Sequence, residues 1–99
     1  MREVHVSGQV LDKISELELY LQTEMKFSKE AARRRSDRMR VFLKSLNAPV
    51  NYALCRFKRC SVLGYRCADF EGWVFAYEIF DGGVIVRDMA HGATLADVE

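Results

Sequence analysis

The feature that most constrains the fold is a change of hydrophobic period near residue 50. Before it, apolar residues recur every three or four positions, which is typical of helices that bury one face. After it, apolar residues alternate along short runs rich in aromatic and β-branched side chains, as in strands. Asn47-Ala48-Pro49 lies at the change, and the residue before a proline is disfavoured in a helix. With 99 residues, we expect one domain, residues 1–99, built from both kinds of element.

Two helices are predicted in the first half, after a short strand-like start at Val4-His5-Val6. Ser7 and Ser28 are predicted N-caps, because a serine hydroxyl accepts a hydrogen bond from the free N–H groups of a first helical turn. The first helix runs from about residue 9 to 25, and the second ends near Leu46. Only Lys26-Phe27 separates them, so the two helices are expected to form an antiparallel hairpin.

Two charged residues interrupt the apolar stripes of these helices. Antiparallel pairing that places Ile14 opposite Met39 also places Glu18 opposite Arg35. We therefore predict an ion pair between the helices, with charged groups within about 4 Å of each other. Its expected role is to fix the register of the hairpin, because desolvation offsets much of the attraction.

A glycine-rich turn is the strongest strand signal. Asp81-Gly82-Gly83 is typical of a tight hairpin turn, and Glu71-Gly72 marks another turn before it. The candidate strands around these turns are Tyr52–Phe57, Leu63–Phe70, Trp73–Phe80 and Val84–Ala90.

A two-residue turn at Asp81-Gly82 or Gly82-Gly83 decides which side chains share a face, because alternate residues of a strand point to opposite sides. The face expected to receive the helices consists of Phe75, Tyr77, Ile79, Val84 and Val86. The opposite face, expected to be open to a partner, consists of Val74, Ala76, Glu78, Ile85, Arg87, Met89 and His91. These patterns predict an α+β fold in which an N-terminal strand precedes an antiparallel two-helix hairpin packed on one face of an antiparallel sheet.

Composition excludes several classes of protein. No apolar stretch is long enough to span a bilayer, and no apolar segment follows the first residues as in a secretory signal. The three cysteines, Cys55, Cys60 and Cys67, form no CxxC pair, so we expect reduced thiols in the cytoplasm. A phosphate-binding glycine loop, a metal-ligand spacing and a nucleophile elbow are all missing from the sequence, and no cofactor is expected.

The small net charge of +1 hides an uneven distribution. Residues 26–66 contain twelve basic and two acidic side chains, whereas the rest of the chain contains three basic and twelve acidic ones. Clustered lysine and arginine displace counterions from phosphates, so this asymmetry favours a surface that faces a polyanion. The alternative is that these charges only solvate a helix.

The C-terminal half resembles the RelE/ParE superfamily of bacterial toxins. The likeness lies in Gly64-Tyr65-Arg66, the run Trp73–Phe80, the Asp-Gly-Gly turn and the run Val84–His91, and the order of elements extends it over nearly the whole chain. The resemblance implies a toxin of a type II toxin–antitoxin system, with a cognate antitoxin as partner. Many members cut messenger RNA on the ribosome without a metal. A ParE-like branch instead inhibits DNA gyrase without cleavage, and a third possibility is an inactive toxin-fold binding module.

The resemblance also suggests functional residues. His91 resembles the terminal histidine of some RNase members and is the expected general acid or base; the alternative is a structural strand-end histidine. Arg87 is the expected phosphate clamp, or else the partner of Glu78 in a cross-strand salt bridge, and Glu78 is itself a candidate base. Val74 stands where several RNase members have an arginine.

Basic residues nearer the middle of the chain complete the expected site. Arg66 falls in the strand where RNase members place basic side chains. A two-residue turn at Glu71-Gly72 directs it to the core, and a three-residue connection directs it outward. The apolar neighbours Tyr65 and Cys67 favour the outward orientation. The residues expected to supply affinity for RNA or the ribosome are Arg56, Lys58 and Arg59.

Overall fold

Serine caps begin both helices. The computed structural model describes residues 2–48, 52–55 and 62–91. In it the Ser7 hydroxyl accepts a hydrogen bond from the Val10 N–H, and the Ser28 hydroxyl accepts one from the Ala31 N–H. Helix α1 spans Gly8–Thr23, and helix α2 spans Lys29–Lys44 before a 3-10 turn at Ser45–Asn47. The predicted caps and the helical hairpin are confirmed. Within the described residues, neither helix has the length and apolar character needed to cross a membrane.

Within the part of the chain that the structure describes, the sheet has four strands in the order β1-β4-β3-β2. Their bounds are β1 Val4–Val6, β2 Arg66–Phe70, β3 Trp73–Phe80 and β4 Gly83–His91. Strands β2, β3 and β4 are antiparallel, as predicted, whereas β1 pairs with β4 in parallel. The α+β class and the order of elements are therefore confirmed, and the sheet is mixed because its first strand joins the last one.

The core lies between the helices and one face of the sheet. Leu43 of α2 and Tyr77 of β3 are examples of side chains that this packing removes from water almost completely. The main members of this cluster are Val10, Ile14, Met39, Leu43, Leu46, Ala68, Phe75, Tyr77, Val84, Val86 and Met89. Burial of these apolar surfaces is the main favourable contribution to folding.

Phe42 joins the helix layer to the sheet. Its ring stacks on Phe70 of β2 with centroids 4.6 Å apart, and it lies 6.0 Å from the Phe75 ring of β3. Val41, the preceding residue, is 68% exposed. The two neighbours therefore differ in packing although both are apolar residues of one helix.

The predicted ion pair between Glu18 and Arg35 is wrong. The Glu18 carboxylate instead accepts a short hydrogen bond from the hydroxyl of Ser36, which is 1% exposed. The Arg35 Nε lies 3.9 Å from the Glu71 carboxylate, and Arg38 donates to the same carboxylate at 2.8 Å. Residue 36 faces α1 and residue 35 faces the β2–β3 turn, because successive helical residues differ by about 100°.

A disulfide joins Cys55 to Cys67, which corrects the expectation of reduced thiols. The Cys55 N–H donates to the Tyr65 carbonyl at 3.0 Å, and the Cys67 N–H donates to the Ala53 carbonyl at 3.3 Å. Residues 52–55 thus extend alongside the start of β2. The pairing brings the two Cα atoms to 4.8 Å, within disulfide range.

Removal of this disulfide is expected to lower the free energy of unfolding. A crosslink between positions 12 residues apart restricts the unfolded chain, and the corresponding stabilisation is about 3 kcal/mol. Urea unfolding of the double variant Cys55→Ser/Cys67→Ser measures it. Cys60→Ser, which removes a cysteine that takes no part in this bridge, serves as the control for the loss of a thiol group.

Replacement of Phe42 by alanine is expected to cost about 3 kcal/mol, because it removes the stacked contact and leaves a cavity at the junction of the two layers. Val41→Ala, at the adjacent exposed position, is expected to change the free energy of unfolding by less than about 0.5 kcal/mol. Both values follow from urea unfolding. Equal losses in the two variants would contradict the assigned packing role of Phe42.

Candidate functional site

The pairing of β3 with β4 contains a β-bulge at Arg87. Tyr77 lies opposite Val86, but the preceding residue Ala76 lies opposite Asp88. Arg87 is therefore the extra residue of β4, without a partner in β3. A bulge of this kind resets the alternation of side chains along its strand.

The bulge moves the side chains at the end of β4 to the opposite face of the sheet from the one predicted. Met89 pairs with Phe75 and is 2% exposed in the core, although the two-residue turn predicted it on the opposite face. His91 pairs with Trp73 and so lies on the helix-facing side of the sheet. The predicted sharing of one face by Arg87 and His91 is therefore wrong.

Helix α1 holds the bulged strand in place. The Lys13 ammonium lies 2.7 Å from the Asp88 carboxylate and also donates to the Met89 carbonyl at 3.0 Å. The Gln9 amide donates to the same Asp88 carboxylate at 3.1 Å. These contacts fix the backbone on the C-terminal side of Arg87.

The face of the sheet that points away from the helices, here called the outer face, brings Glu78 and Arg87 together. The Arg87 Nε donates to Glu78 Oε1 at 2.8 Å, and a terminal N–H of Arg87 donates to the same oxygen. Their side chains are 44% and 25% exposed for Arg87 and Glu78, respectively. The hydrogen bond to Glu78 raises the pKa of Arg87. The salt bridge between Arg87 and Glu78, which was the alternative role expected for Arg87, is present.

Tyr65 belongs to the same face, and the sequence analysis assigned it no role. It immediately precedes β2, whose first residue Arg66 lies opposite Tyr77. Continuing that register places Tyr65 beside Glu78 on the outer face. Tyr65 also contributes to raising the pKa of Arg87. The alternation of β2 identifies this position once the turn length is known.

Arg66 points toward the core side, which corrects the outward orientation favoured above. Phe70 pairs with Trp73, so Glu71-Gly72 is a two-residue turn, and both turn residues have positive φ, 50° and 83°. Arg66 consequently shares a face with Ala68 rather than with Glu78. Its terminal N–H donates to the Tyr52 carbonyl at 2.7 Å, which fastens the 52–55 segment to the sheet.

His91 is exposed at the end of β4, where it contacts an aromatic ring. Its imidazole meets the Trp73 indole edge to face, with ring centroids 5.4 Å apart. A side-chain carbon at Gly72 would lie 3.8 Å from its Nε2. His91 thus has the structural surroundings of a strand-end residue and lies apart from Glu78 and Arg87. The three expected RNA-binding residues, Arg56, Lys58 and Arg59, lie outside the described residues.

A second surface is the groove between α2 and β2, here called the α2 groove. It has a volume of about 630 Å³. Its floor is apolar, with Phe42 and Phe70 beside the exposed Val41. The described residues that line it are Arg34, Asp37, Arg38, Val41, Phe42, Ser45 and Phe70. The groove therefore combines an apolar floor with a predominantly basic rim, which is typical of a site for an acidic amphipathic segment.

No cluster of histidine, cysteine, aspartate and glutamate side chains suited to hold a metal ion occurs in residues 2–48, 52–55 and 62–91. Val74, which stands where an arginine was expected from the resemblance, is 7% exposed and offers no charge. Glu78, Arg87 and Tyr65 thus place a carboxylate, a guanidinium and a phenol on the outer face.

Substitution of Glu78 by glutamine is expected to strengthen binding of a short fluorescein-labelled single-stranded RNA, because Arg87 loses its internal anionic partner. Arg87→Gln is expected to weaken binding and to reduce the slope of log affinity against log salt by about 0.7. Fluorescence anisotropy over a salt series measures both effects. Glu24→Gln removes the same charge at the end of α1. An equal gain in RNA affinity for that control would mean that the affinity depends on net charge and not on the release of Arg87.

Comparison with known proteins adds no assignment. No model of a known protein family matches the chain, and no curated protein matches it. Its functional interpretation therefore depends on its own residues, their arrangement on the sheet and the resemblance of its motifs.

Proposed function

We propose that this chain is a RelE/ParE-type toxin that cuts messenger RNA on the ribosome, with its site on the outer face of the sheet. The observation that supports this most directly is the pair of Glu78 and Arg87 beside Tyr65, on the face of the sheet opposite α1 and α2. A carboxylate and a guanidinium held together are suited to deprotonate a hydroxyl and to stabilise an anionic phosphate.

The resting salt bridge gives each partner a role in the proposed reaction. A phosphate that reaches the outer face competes with Glu78 for the Arg87 guanidinium, whose planar fork binds two oxygens at once. Glu78 is thereby released to take the proton of the ribose 2′-hydroxyl, which attacks the adjacent phosphorus. In this reaction the Tyr65 hydroxyl would donate a hydrogen bond to a phosphate oxygen.

Residues that the resemblance pointed to have other roles in this proposal. Arg66 positions the strand edge through its bond to the Tyr52 carbonyl. His91 packs on Trp73 on the helix-facing side and takes no part in the chemistry.

The proposed partners are the ribosome with its messenger, and a cognate antitoxin. Charge complementarity favours an acidic amphipathic segment of the antitoxin as the occupant of the α2 groove, since Arg34 flanks its apolar floor together with Arg38, which also binds Glu71. The proposed compartment is the cytoplasm, where translation takes place.

A second candidate function is ParE-like inhibition of DNA gyrase without cleavage. It is favoured by one observation, namely that Glu78 neutralises Arg87 in the free protein and His91 lies on the other face. A binding toxin needs no assembled acid–base pair.

Mapping of messenger 5′ ends in a cell-free translation reaction tests the proposal. The wild-type protein is expected to generate new ends within translated codons. Glu78→Gln and Arg87→Gln are each expected to reduce cutting by about 100-fold or more. The matched control His91→Gln, on the opposite side of the sheet, is expected to retain it.

Intact messenger with the wild-type protein would overturn the RNase proposal. In that case, a DNA-damage response in cells that produce the protein would favour the gyrase function. Loss of cutting in His91→Gln with full activity in Glu78→Gln would move the site from the outer face to the end of β4.

A further inference from the structure

We infer that His5 of β1 is the general acid of the outer face, an inference that builds on the proposed RNase function. His5 pairs with Ile85 of β4, and Ile85 pairs with Glu78 of β3. Directly paired residues of neighbouring strands point to the same side of a sheet. His5, Ile85 and Glu78 therefore form one row across three strands.

The packing of β1 confirms the orientation of His5. Its neighbours Val4 and Val6 pack against the core, and their partners Val84 and Val86 are 0% exposed. His5, between the two valines, must point to the outer face. Its side chain is 68% exposed, so a substrate can reach it.

The imidazole of His5 already has an orienting partner. Its Nε2 lies 3.2 Å from the carboxylate of Glu3, two residues earlier in the chain. A histidine that hydrogen-bonds a carboxylate through one nitrogen is oriented to use the other nitrogen for proton transfer. This arrangement leaves Nδ1 of His5 for the substrate.

The spacing across the row suits cleavage of a phosphodiester. Neighbouring strands are about 4.8 Å apart, so His5 on β1 and Glu78 on β3 are separated by about 10 Å at the backbone. Arg87 belongs to β4, the strand between them. A phosphate held by Arg87 would have Glu78 on one side and His5 on the other, which is the arrangement that in-line displacement requires.

The proposed step balances without a further reagent. The 2′-hydroxyl gives its proton to Glu78, and the 2′-oxygen forms a bond to phosphorus. The bond from phosphorus to the 5′-oxygen breaks, and protonated His5 gives its proton to that leaving oxygen. The products are a 2′,3′-cyclic phosphate and a 5′-hydroxyl, and water returns the proton from Glu78 to His5.

A messenger with sulfur in place of the scissile 5′-oxygen tests the role of His5. A thiolate leaves without protonation, so the modified linkage has little need of a general acid. Short synthetic messengers with the ordinary or the modified linkage are loaded on ribosomes, and single-turnover cleavage is measured. His5→Gln is expected to slow cleavage of the ordinary linkage by about 100-fold or more and to cut the modified linkage at nearly the wild-type rate.

Two variants provide matched controls. Glu78→Gln is expected to remain slow on both linkages, because a better leaving group does not replace the base. His91→Gln, which changes the other exposed histidine, is expected to match the wild type on both. His5→Gln is expected to unfold at the same temperature as the wild type, because the side chain of His5 is exposed. A thermal unfolding curve measures this.

The possible failures are distinguishable. Wild-type speed of His5→Gln on the ordinary linkage would overturn the role of His5 and leave the RNase function standing. An equal loss on both linkages would also overturn it, since the loss would then not concern the leaving group. If the wild-type protein cuts neither linkage, the RNase function itself fails, and the role of His5 with it.

Discussion

The pairing of β3 with β4 is the constraint on which the rest of the structure depends. Because Arg87 is an extra residue, the two halves of β4 are out of phase. This shift in register puts Met89 into the core and leaves Arg87 on the opposite side, where it donates a hydrogen bond to Glu78. The Lys13–Asp88 contact ties this shifted half to α1. The burial of Met89 and the Glu78–Arg87 salt bridge thus both follow from a single unpaired residue.

The basic side chains of α2, which are part of the basic excess of residues 26–66, and the proposed site lie on different sides of the sheet. Part of the basic excess is structural, since Arg35 and Arg38 bind Glu71 and thereby dock α2 on the β2–β3 turn. The helix-facing side of the sheet carries this basic helix, whereas the proposed site lies on the other side. In the proposed function, attraction of a polyanion by α2 and chemistry on the outer face would therefore take place on opposite sides of one small domain.

Local signals in the sequence predicted much of the fold. Ser7 and Ser28 identified both helix starts, and the Asp-Gly-Gly turn identified the hairpin of β3 and β4, because each signal acts within a few residues. The parallel pairing of β1 and the contact of Glu18 with Ser36 depend on how distant elements rotate and meet. Neither has a local signature, and the sequence analysis therefore missed both.

The candidate site was only partly predictable for the same reason. Glu78 and Arg87 were identified and found together, since both lie on the same face close to one hairpin turn, although Glu78 pairs with Ile85 and Arg87 is the bulged residue. The placement of His91 failed because a bulge inverts every later side chain, and a bulge is fixed by tertiary contacts. His5 and Tyr65 join the outer face only through strand order and register. The residue type of His91 and its position at a strand end were thus not enough to assign it to the site, because the register of β3 with β4 decides which face it lies on.

The Cys55–Cys67 bridge makes residues 55–67 a covalent ring within the chain. A protease that cuts once inside this ring releases no fragment, because the two new ends remain joined through sulfur. The nicked chain would run as one band without reductant and as two bands with it. The disulfide also keeps the 52–55 segment attached to β2 after such a cut. The pairing at this edge of the sheet can therefore persist although the backbone is broken.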